Sequence, residues 1–423
     1  MIKDLPINGV NRQLIMTQTA PWLWAILIGG SVWLLPFRRL FLLPVMILAL
    51  VGIYNFIVRF KTLASQQAIR RIMQVLLCFS APLLVFMTYA LLTGKPFEAD
   101  LKAFGGLLLL FFYGAGFYCI QIKYNVLPRL YWIVFATLAF WGLDGLVQAI
   151  WGYDFFGFPR QDRLGGFFST PNKFGFYIGV LSPLVLLAGF TAVKNKALWV
   201  SCSLAVSLAV LFANTRWSWV AWFVTLLVLI YTIKLERKVL WVGLFAGGIT
   251  LLLSGVIYFD EMFRERLLMS IPTEISFSVL DQVSSHRMKI WAFALDIISH
   301  HWLFGVGVEG YDILSAQQVA EHNAHPMLNQ EHSHQVVLDV LLAGGLLGFT
   351  FFALGWLKLL SYWVKSTAFY LGLPIACSLF VMWLPLGTHR SFYASELLSI
   401  TGFLSVWLIL VVTQSVDKVD SSN

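Results

Sequence analysis

The chain has 423 residues, of which 59% are hydrophobic and only 12% are charged. So few charged side chains cannot cover a soluble globule of this size, so the composition excludes that class and indicates a polytopic membrane protein. The formal charge of +8 would suit a nucleic-acid binder, but the basic residues are scattered between apolar runs rather than gathered on one soluble face.

Apolar runs of about 20 residues, the length that crosses a bilayer core, recur along almost the whole chain. The first is followed by Arg38 and Arg39 rather than by a small-residue cleavage site, so we expect a retained helix and not a signal peptide. All four cysteines fall inside apolar runs, which favours packing roles over disulfides or thiolate metal sites. The twelve predicted spans lie near residues 19–36, 41–58, 72–93, 103–122, 130–150, 174–192, 198–213, 217–233, 239–257, 336–357, 367–385 and 395–413.

These spans divide the chain into nine membrane helices over residues 1–257, a polar loop over 258–335, and three helices with a tail over 336–423. With the amino terminus inside, 16 of the 29 Lys and Arg residues fall in inner loops and six in short outer loops. The positive-inside rule then predicts two cytoplasmic termini and an outer position for the long loop.

Asp144 is the one residue of the first five spans that suggests chemistry, because an acidic side chain within a membrane helix is costly unless it has a role. The alternative is a carboxylate bonded to neighbouring helices near the outer interface. Residues 151–173 follow, rich in Gly, Pro, aromatic and Arg residues. They predict either an interfacial aromatic belt or a basic lip that holds an anionic, sugar-bearing ligand.

Arg216 lies between the seventh and eighth spans with almost no loop to carry it into water. Its guanidinium is a rigid fork of donors suited to phosphate oxygens. Alternatively, it caps helix carbonyls or pairs with a carboxylate.

The long loop holds seven of the eight histidines, and a loop of this length in a compact protein usually has a function. Residues 261–270 predict a short amphipathic helix on the membrane surface. Ser284 and Ser285 then offer an N-cap for a helix from Arg287 to Ser299, with Arg287 in a first turn that suits a bound anion. The glycines between Gly305 and Gly310 mimic a dinucleotide fingerprint without its strand and helix context, so we expect a tight turn.

His332 and His334 end the loop, where the chain re-enters the membrane. On a helix, residues two apart point to different sides and no further ligand follows at zinc spacing, so acid/base chemistry is favoured over a metal site. Asp339, about one turn further on, could orient or bias the imidazole of His334, or could only satisfy helix neighbours.

Four segments together resemble the O-antigen ligase and polymerase superfamily: 163–175 (RLGGFFSTPNKFG), 215–219 (TRWSW), 286–311 and 332–348 (HSHQVVLDVLLAGGLLG). The last is the most specific, with a histidine, an amide residue, an apolar run, an acidic residue and a Gly-Leu-Leu-Gly turn. Gln335 stands where Asn is commoner, and Trp217 stands where small residues are frequent.

The resemblance implies an all-α bundle of the glycosyltransferase C type in the bacterial inner membrane, active on the periplasmic side without metal or other cofactor. By matching motif, His334 would be the catalytic residue, Arg216 and Arg287 would bind diphosphate, and Arg163 and Asn172 match a weaker motif. The expected reaction moves a glycan from undecaprenyl diphosphate to a lipid A-core hydroxyl in lipopolysaccharide synthesis, with polymerisation as the alternative. A lipid-linked glycan transporter is the rival from another class, but no internal repeat is visible and the polar groups cluster on one side.

Overall fold

The computed structural model describes residues 9–168, 170–190, 193–232, 238–271, 274–322, 330–384 and 391–420. Two of the predicted outer histidines, His325 and His389, lie outside these ranges. Within them the chain forms helices and no strand, which confirms the all-α class. The α-helices are α1 Gly9–Trp33, α2 Leu42–Val58, α3 Phe60–Ala64, α4 Gln67–Thr93, α5 Glu98–Tyr124, α6 Leu127–Trp151, α7 Pro171–Leu181, α8 Pro183–Leu186, α9 Lys196–Phe212, α10 Arg216–Thr232, α11 Lys238–Phe259, α12 Glu261–Leu268, α13 Phe277–Val283, α14 Arg287–His300, α15 Gly310–His322, α16 Val336–Val364, α17 Phe369–Trp383 and α18 Ser395–Asp420.

Among the described residues, six helices are long and apolar enough to cross a membrane, so a multi-pass protein is supported but a count of about twelve is not confirmed. The shorter apolar helices include α9 and α10, whose 17 residues each reach roughly 25 Å. The long apolar segments are Arg39–Val58, Gln67–Thr93, Glu98–Tyr124, Leu127–Trp151, Val336–Val364 and Ser395–Gln414.

The predicted span at 174–192 is not one continuous helix. It divides into α7 and α8 at Pro183, which has no N–H to donate and whose ring would crowd the carbonyl four residues earlier, that of Gly179. The Ser182 hydroxyl donates to that same carbonyl at 2.7 Å. The break was visible in the sequence as a proline inside an otherwise apolar run.

Close helix contacts hold the bundle, as expected where lipid supplies no hydrophobic drive between helices. Helix α2 lies on α5 at Gly52 and Gly116, where a β-carbon on either glycine would collide with the other helix's backbone. Helix α4 packs along α16, with Gly344 and Gly348 directly against Pro82. These contacts fix α16, the helix that follows His334.

The segment after α6 is held in place by two buried polar side chains of that helix. Asp144 Oδ1 accepts the Phe155 N–H at 2.9 Å, and Gln148 Oε1 accepts the N–H groups of Gly165 and Gly166, both at 2.9 Å. Asp144 therefore bonds to the segment that follows its own helix, whereas the alternative drawn from the sequence placed its bonds on neighbouring helices. Arg160 then pairs with Asp260 at 2.5 Å, which ties this segment to the start of the long loop.

Helix α16 is interrupted at Gly345, whose φ of 61° is left-handed and favours glycine. A β-carbon there would also collide with the Leu303 backbone. The Leu346 N–H donates at 2.7 Å to the carbonyl of Trp302, in the segment that follows α14. The long loop is therefore bonded into the break in α16, close to the end of the bundle where His334 lies.

Candidate active site

Four arginines from four parts of the chain gather above the bundle: Arg163 after α6, Arg216 at the start of α10, Arg266 in α12 and Arg287 at the start of α14. Burial, followed by the charges of Arg216, Arg266 and Arg163, lowers the pKa of Arg287 to about 10. Burial, with Arg163 and Arg216, also lowers the pKa of Arg266. The four side chains therefore repel one another, and we name them the arginine cluster.

Carboxylates compensate little of this charge. Within the described part of the chain, none of Arg216, Arg266 and Arg287 forms an ion pair, and Arg163 lies 3.4 Å from the exposed carboxylate of Asp162. An exposed ion pair of that kind contributes little. The buried Nε of Arg266 has no hydrogen-bond partner among the described residues. A compact set of partly buried guanidinium groups with little compensating charge favours binding of a multivalent anion.

Arg216 bonds to carbonyls at helix ends, which was one of the alternatives that its sequence position suggested. Its Nε donates to the Ser270 hydroxyl at 2.7 Å, and its terminal nitrogens donate to the carbonyls of Val283 and, at 3.4 Å, Met269. These bonds attach the ends of α12 and α13 to the start of α10. They engage three of the five N–H donors that an arginine carries, and the other two have no partner among the described residues.

The structure brings together the predicted pair Arg163 and Asn172. An Arg163 terminal nitrogen donates to Asn172 Oδ1 at 2.5 Å, from the loop after α6 to the first turn of α7. Besides burial, which is the largest cause, the charge of Arg163 lowers the pKa of each of the other three arginines. Arg266 was not predicted, because the helix around it was read only as a membrane-surface element.

The start of α14 is capped differently from the prediction. We expected Ser284 and Ser285 to provide the N-cap, but His286 occupies that position with a φ of 64° and no capping side chain. Asp281 of α13 accepts the Lys289 N–H at 3.1 Å and the His286 imidazole at 3.0 Å. Burial alone would raise the pKa of Asp281, but these contacts lower it below its ordinary value. The carboxylate thus takes one of the free N–H groups that we had assigned to a bound anion.

His334 does not lie on a helix, and this corrects the expected separation of the two terminal histidines. Residues 330–335 are irregular, and the rings of His332 and His334 lie 4.2 Å apart, centroid to centroid. His334 Nε2 lies 3.3 Å from Oε1 of Gln330. Because an amide oxygen accepts, this contact favours a proton on Nε2 and a lone pair on Nδ1.

Asp339 was expected to orient or bias the imidazole of His334, yet its side chain accepts hydrogen bonds from Ser333, the residue before that histidine. Asp339 Oδ1 accepts from the Ser333 N–H at 2.9 Å and from the Ser333 hydroxyl at 2.6 Å. The other oxygen, Oδ2, is buried without a hydrogen-bond partner among the described residues.

Helix α14, which carries Arg287 of the arginine cluster, packs against α16, which follows His334. Ile290, Ala294 and Ile297 of α14 form one apolar cluster with Leu342 and Leu338 of α16. Helix α14 begins with Arg287, and α16 begins two residues after His334. The same helix pair therefore carries both groups at the loop end of the bundle. In the part of the chain that the structure describes, no group of three or more His, Cys, Asp or Glu side chains could hold a metal ion.

An apolar cavity of about 980 Å³ begins directly below this region. Its lining starts at Val336 and Val337, next to Gln335, and continues along α16 and α17 to Trp363 and Phe369 at the opposite end of those helices. A cavity with this lining suits a long hydrocarbon chain and not a polar ligand.

Residues 201–353 match a family model described as O-antigen ligase. This match supports the resemblance of the chain to the O-antigen ligase superfamily. The match to the O-antigen ligase model includes Arg216, Arg266, Arg287 and His334, whereas Arg163 and Asn172 lie before it. A search of the curated proteins finds no match to the chain.

Proposed function

We propose that this protein is an O-antigen ligase that moves a glycan from undecaprenyl diphosphate to a sugar hydroxyl of lipid A-core at the outer face of the membrane. The observation that carries the proposal is the arginine cluster, which lies beside the helix pair that presents His334. The match to the O-antigen ligase model supports a ligase or a polymerase, and the donor and acceptor are part of the proposal.

The arginine cluster would bind the diphosphate of the donor. A leaving lipid diphosphate carries about two to three negative charges, and donors already aimed at those charges lower the barrier without reorganisation. Arg287 and Arg266 form no ion pair within the described residues, so a diphosphate would compensate charges that the folded chain itself leaves uncompensated. Divalent metal would then not be needed for the departing group.

His334 would act as the general base. Its ring accepts the proton of the acceptor hydroxyl, the hydroxyl oxygen bonds to the anomeric carbon, and the bond between that carbon and the phosphate oxygen breaks. The electron pair leaves with the lipid diphosphate, and one displacement of this kind inverts the anomeric carbon. The Gln330 contact favours Nδ1 as the nitrogen that takes the proton.

The apolar cavity supports a lipid-linked donor over a soluble one. Because Val336 and Val337 form its upper end, a prenyl chain in the cavity would leave its diphosphate near the loop end of the bundle. Two lipid-anchored substrates could then meet at one plane of the membrane, which removes much of the entropic cost of their encounter.

The deciding experiment offers the purified protein a lipid-diphosphate glycan together with either lipid A-core or a second glycan. Growth of lipid A-core supports the ligase, and growth of the glycan chain supports the polymerase alternative. Transport of the donor across liposomes without any glycosyl product would instead favour the transporter.

A further inference from the structure

His334 has an unfavourable backbone conformation. Its φ of 57° lies in the left-handed region, which residues with a β-carbon seldom adopt because that carbon crowds the carbonyl that follows. Such a conformation persists only where surrounding bonds fix it, and it is typical of functional sites. The bonds that fix His334 are therefore informative.

Those bonds join both neighbours of His334 to the first turn of α16. Before it, Ser333 is fully buried and donates its N–H and its hydroxyl to Asp339 Oδ1. After it, Gln335 Oε1 accepts the Leu338 N–H at 2.6 Å, and the Gln335 carbonyl accepts the Asp339 N–H at 2.9 Å. The Ser333 hydroxyl also lies 3.1 Å from that carbonyl. The backbone of His334 is thus clamped at both ends.

We propose that Ser333 and Asp339 form a mount that fixes the His334 imidazole for proton transfer, and that Asp339 acts through Ser333 rather than through the ring. This inference rests on the proposed function, since it assigns positioning residues to the same histidine. It differs from a carboxylate that tunes the imidazole by direct contact, because both Oδ1 bonds go to Ser333.

The mount and the direct-contact arrangement predict opposite results for a conservative change. In Asp339→Asn the amide oxygen can still accept both Ser333 bonds, so kcat should fall only about threefold, as neutral bonds are roughly half as strong as charge-assisted ones. In Asp339→Ala the clamp is lost, and kcat should fall about a hundredfold, the cost of a misplacement near 1 Å. Ser333→Ala should lower kcat about tenfold, because it removes one of the two bonds.

Three readouts separate positioning from a general structural role. The KM for donor should stay unchanged in all three variants. When kcat is measured against pH, the pH at which kcat falls to half its maximum on acidification should be the same in Asp339→Asn as in the wild type. The double variant Asp339→Ala with Ser333→Ala should lose no more than Asp339→Ala alone, since both changes break one unit. Glu331→Gln is the matched control, because it removes an exposed carboxylate two residues before Ser333 and should leave kcat unchanged.

The mount is overturned if Asp339→Asn loses as much kcat as Asp339→Ala, or if Ser333→Ala keeps the wild-type kcat. It is also overturned if Asp339→Asn shifts the pH at which kcat falls to half its maximum on acidification. Should Asp339→Ala not insert into the membrane, Ser333→Ala and Asp339→Asn decide the question alone. Wild-type protein without transfer, or His334→Ala with normal transfer, would instead overturn the proposed function. A wild type that transfers, an inactive His334→Ala and a fully active Ser333→Ala together overturn only the mount.

Discussion

Arg266 offers the sharpest test of the arginine cluster, because a charge-removing change there has a matched control on the same helix. Arg264 lies two residues away in α12, is 46% exposed and pairs with Glu261 at 2.8 Å. Arg266 is partly buried and faces the other three arginines. Arg266→Gln and Arg264→Gln therefore remove the same charge from one helix, but only the first removes it from the cluster.

The magnitude follows from the charge-assisted contact that the substitution removes. Burial, and after it the neighbouring arginines, lower the pKa of Arg287 to about 10, so its charged form is disfavoured by about 3 kcal/mol relative to an ordinary arginine. A bound diphosphate reverses the repulsion among these arginines. Loss of one charge-assisted contact of about 1.5–3 kcal/mol should raise the Kd for pyrophosphate roughly 10- to 150-fold in Arg266→Gln.

The assay is calorimetric titration of the membrane-inserted protein with pyrophosphate, alongside its thermal unfolding. Without ligand, Arg266→Gln should unfold no earlier than wild type, because the change removes a repulsive charge. Arg264→Gln should bind pyrophosphate as wild type does. Equal affinity for pyrophosphate in wild type and Arg266→Gln, or an equal loss in both variants, would refute the assignment of Arg266 to an anion site.

Two further predictions concern the chemical step. His334→Ala should insert normally, bind donor and lose transfer by about a hundredfold to ten-thousandfold, whereas His332→Ala should lose less; stable His334→Ala protein with near wild-type transfer would contradict the base assignment. Transfer should also persist in excess EDTA, because the arginine cluster already supplies positive charge; complete loss that Mg²⁺ or Mn²⁺ restores would contradict that expectation.

The sequence predicted which residues form the candidate site better than it predicted which residues contact one another there. Arg216 and Arg287 were singled out because each stands at a helix end, where an arginine has no obvious partner, whereas Arg163 was singled out by its match to a weaker family motif. Arg266 was missed although a signal existed. In the predicted helix, Arg264 and Arg266 are two positions apart and so must face different sides, and only one could have remained at the surface.

The remaining errors have a common physical cause, which is that bonds between residues six or eight positions apart replaced bonds between nearer neighbours. Ser284 and Ser285 were the nearest capping residues in the sequence, but Asp281 reaches the first turn of α14 from α13, a helix that was not predicted. His332 and His334 were expected to point to different sides, as residues two apart do on a helix, yet the bonds from Ser333 to Asp339 hold the chain outside helical geometry. Neither arrangement follows from spacing alone.

Arg216 and Arg287 should respond differently to substitution by lysine. Arg216 also holds the long loop in place through its side-chain hydrogen bonds, and among the described residues Arg287 does not. Arg216 donates to Ser270, Met269 and Val283, so Arg216→Lys should lower the free energy of unfolding by about 1–3 kcal/mol as well as weaken donor binding.

Arg287 forms no ion pair within the described residues, so Arg287→Lys should keep the wild-type unfolding temperature and lose donor affinity and transfer. Paired thermal unfolding and donor titration of both variants distinguish the two roles. If Arg287→Lys keeps normal donor affinity and turnover while Arg216→Lys loses only stability, both arginines are structural, and the diphosphate must bind elsewhere.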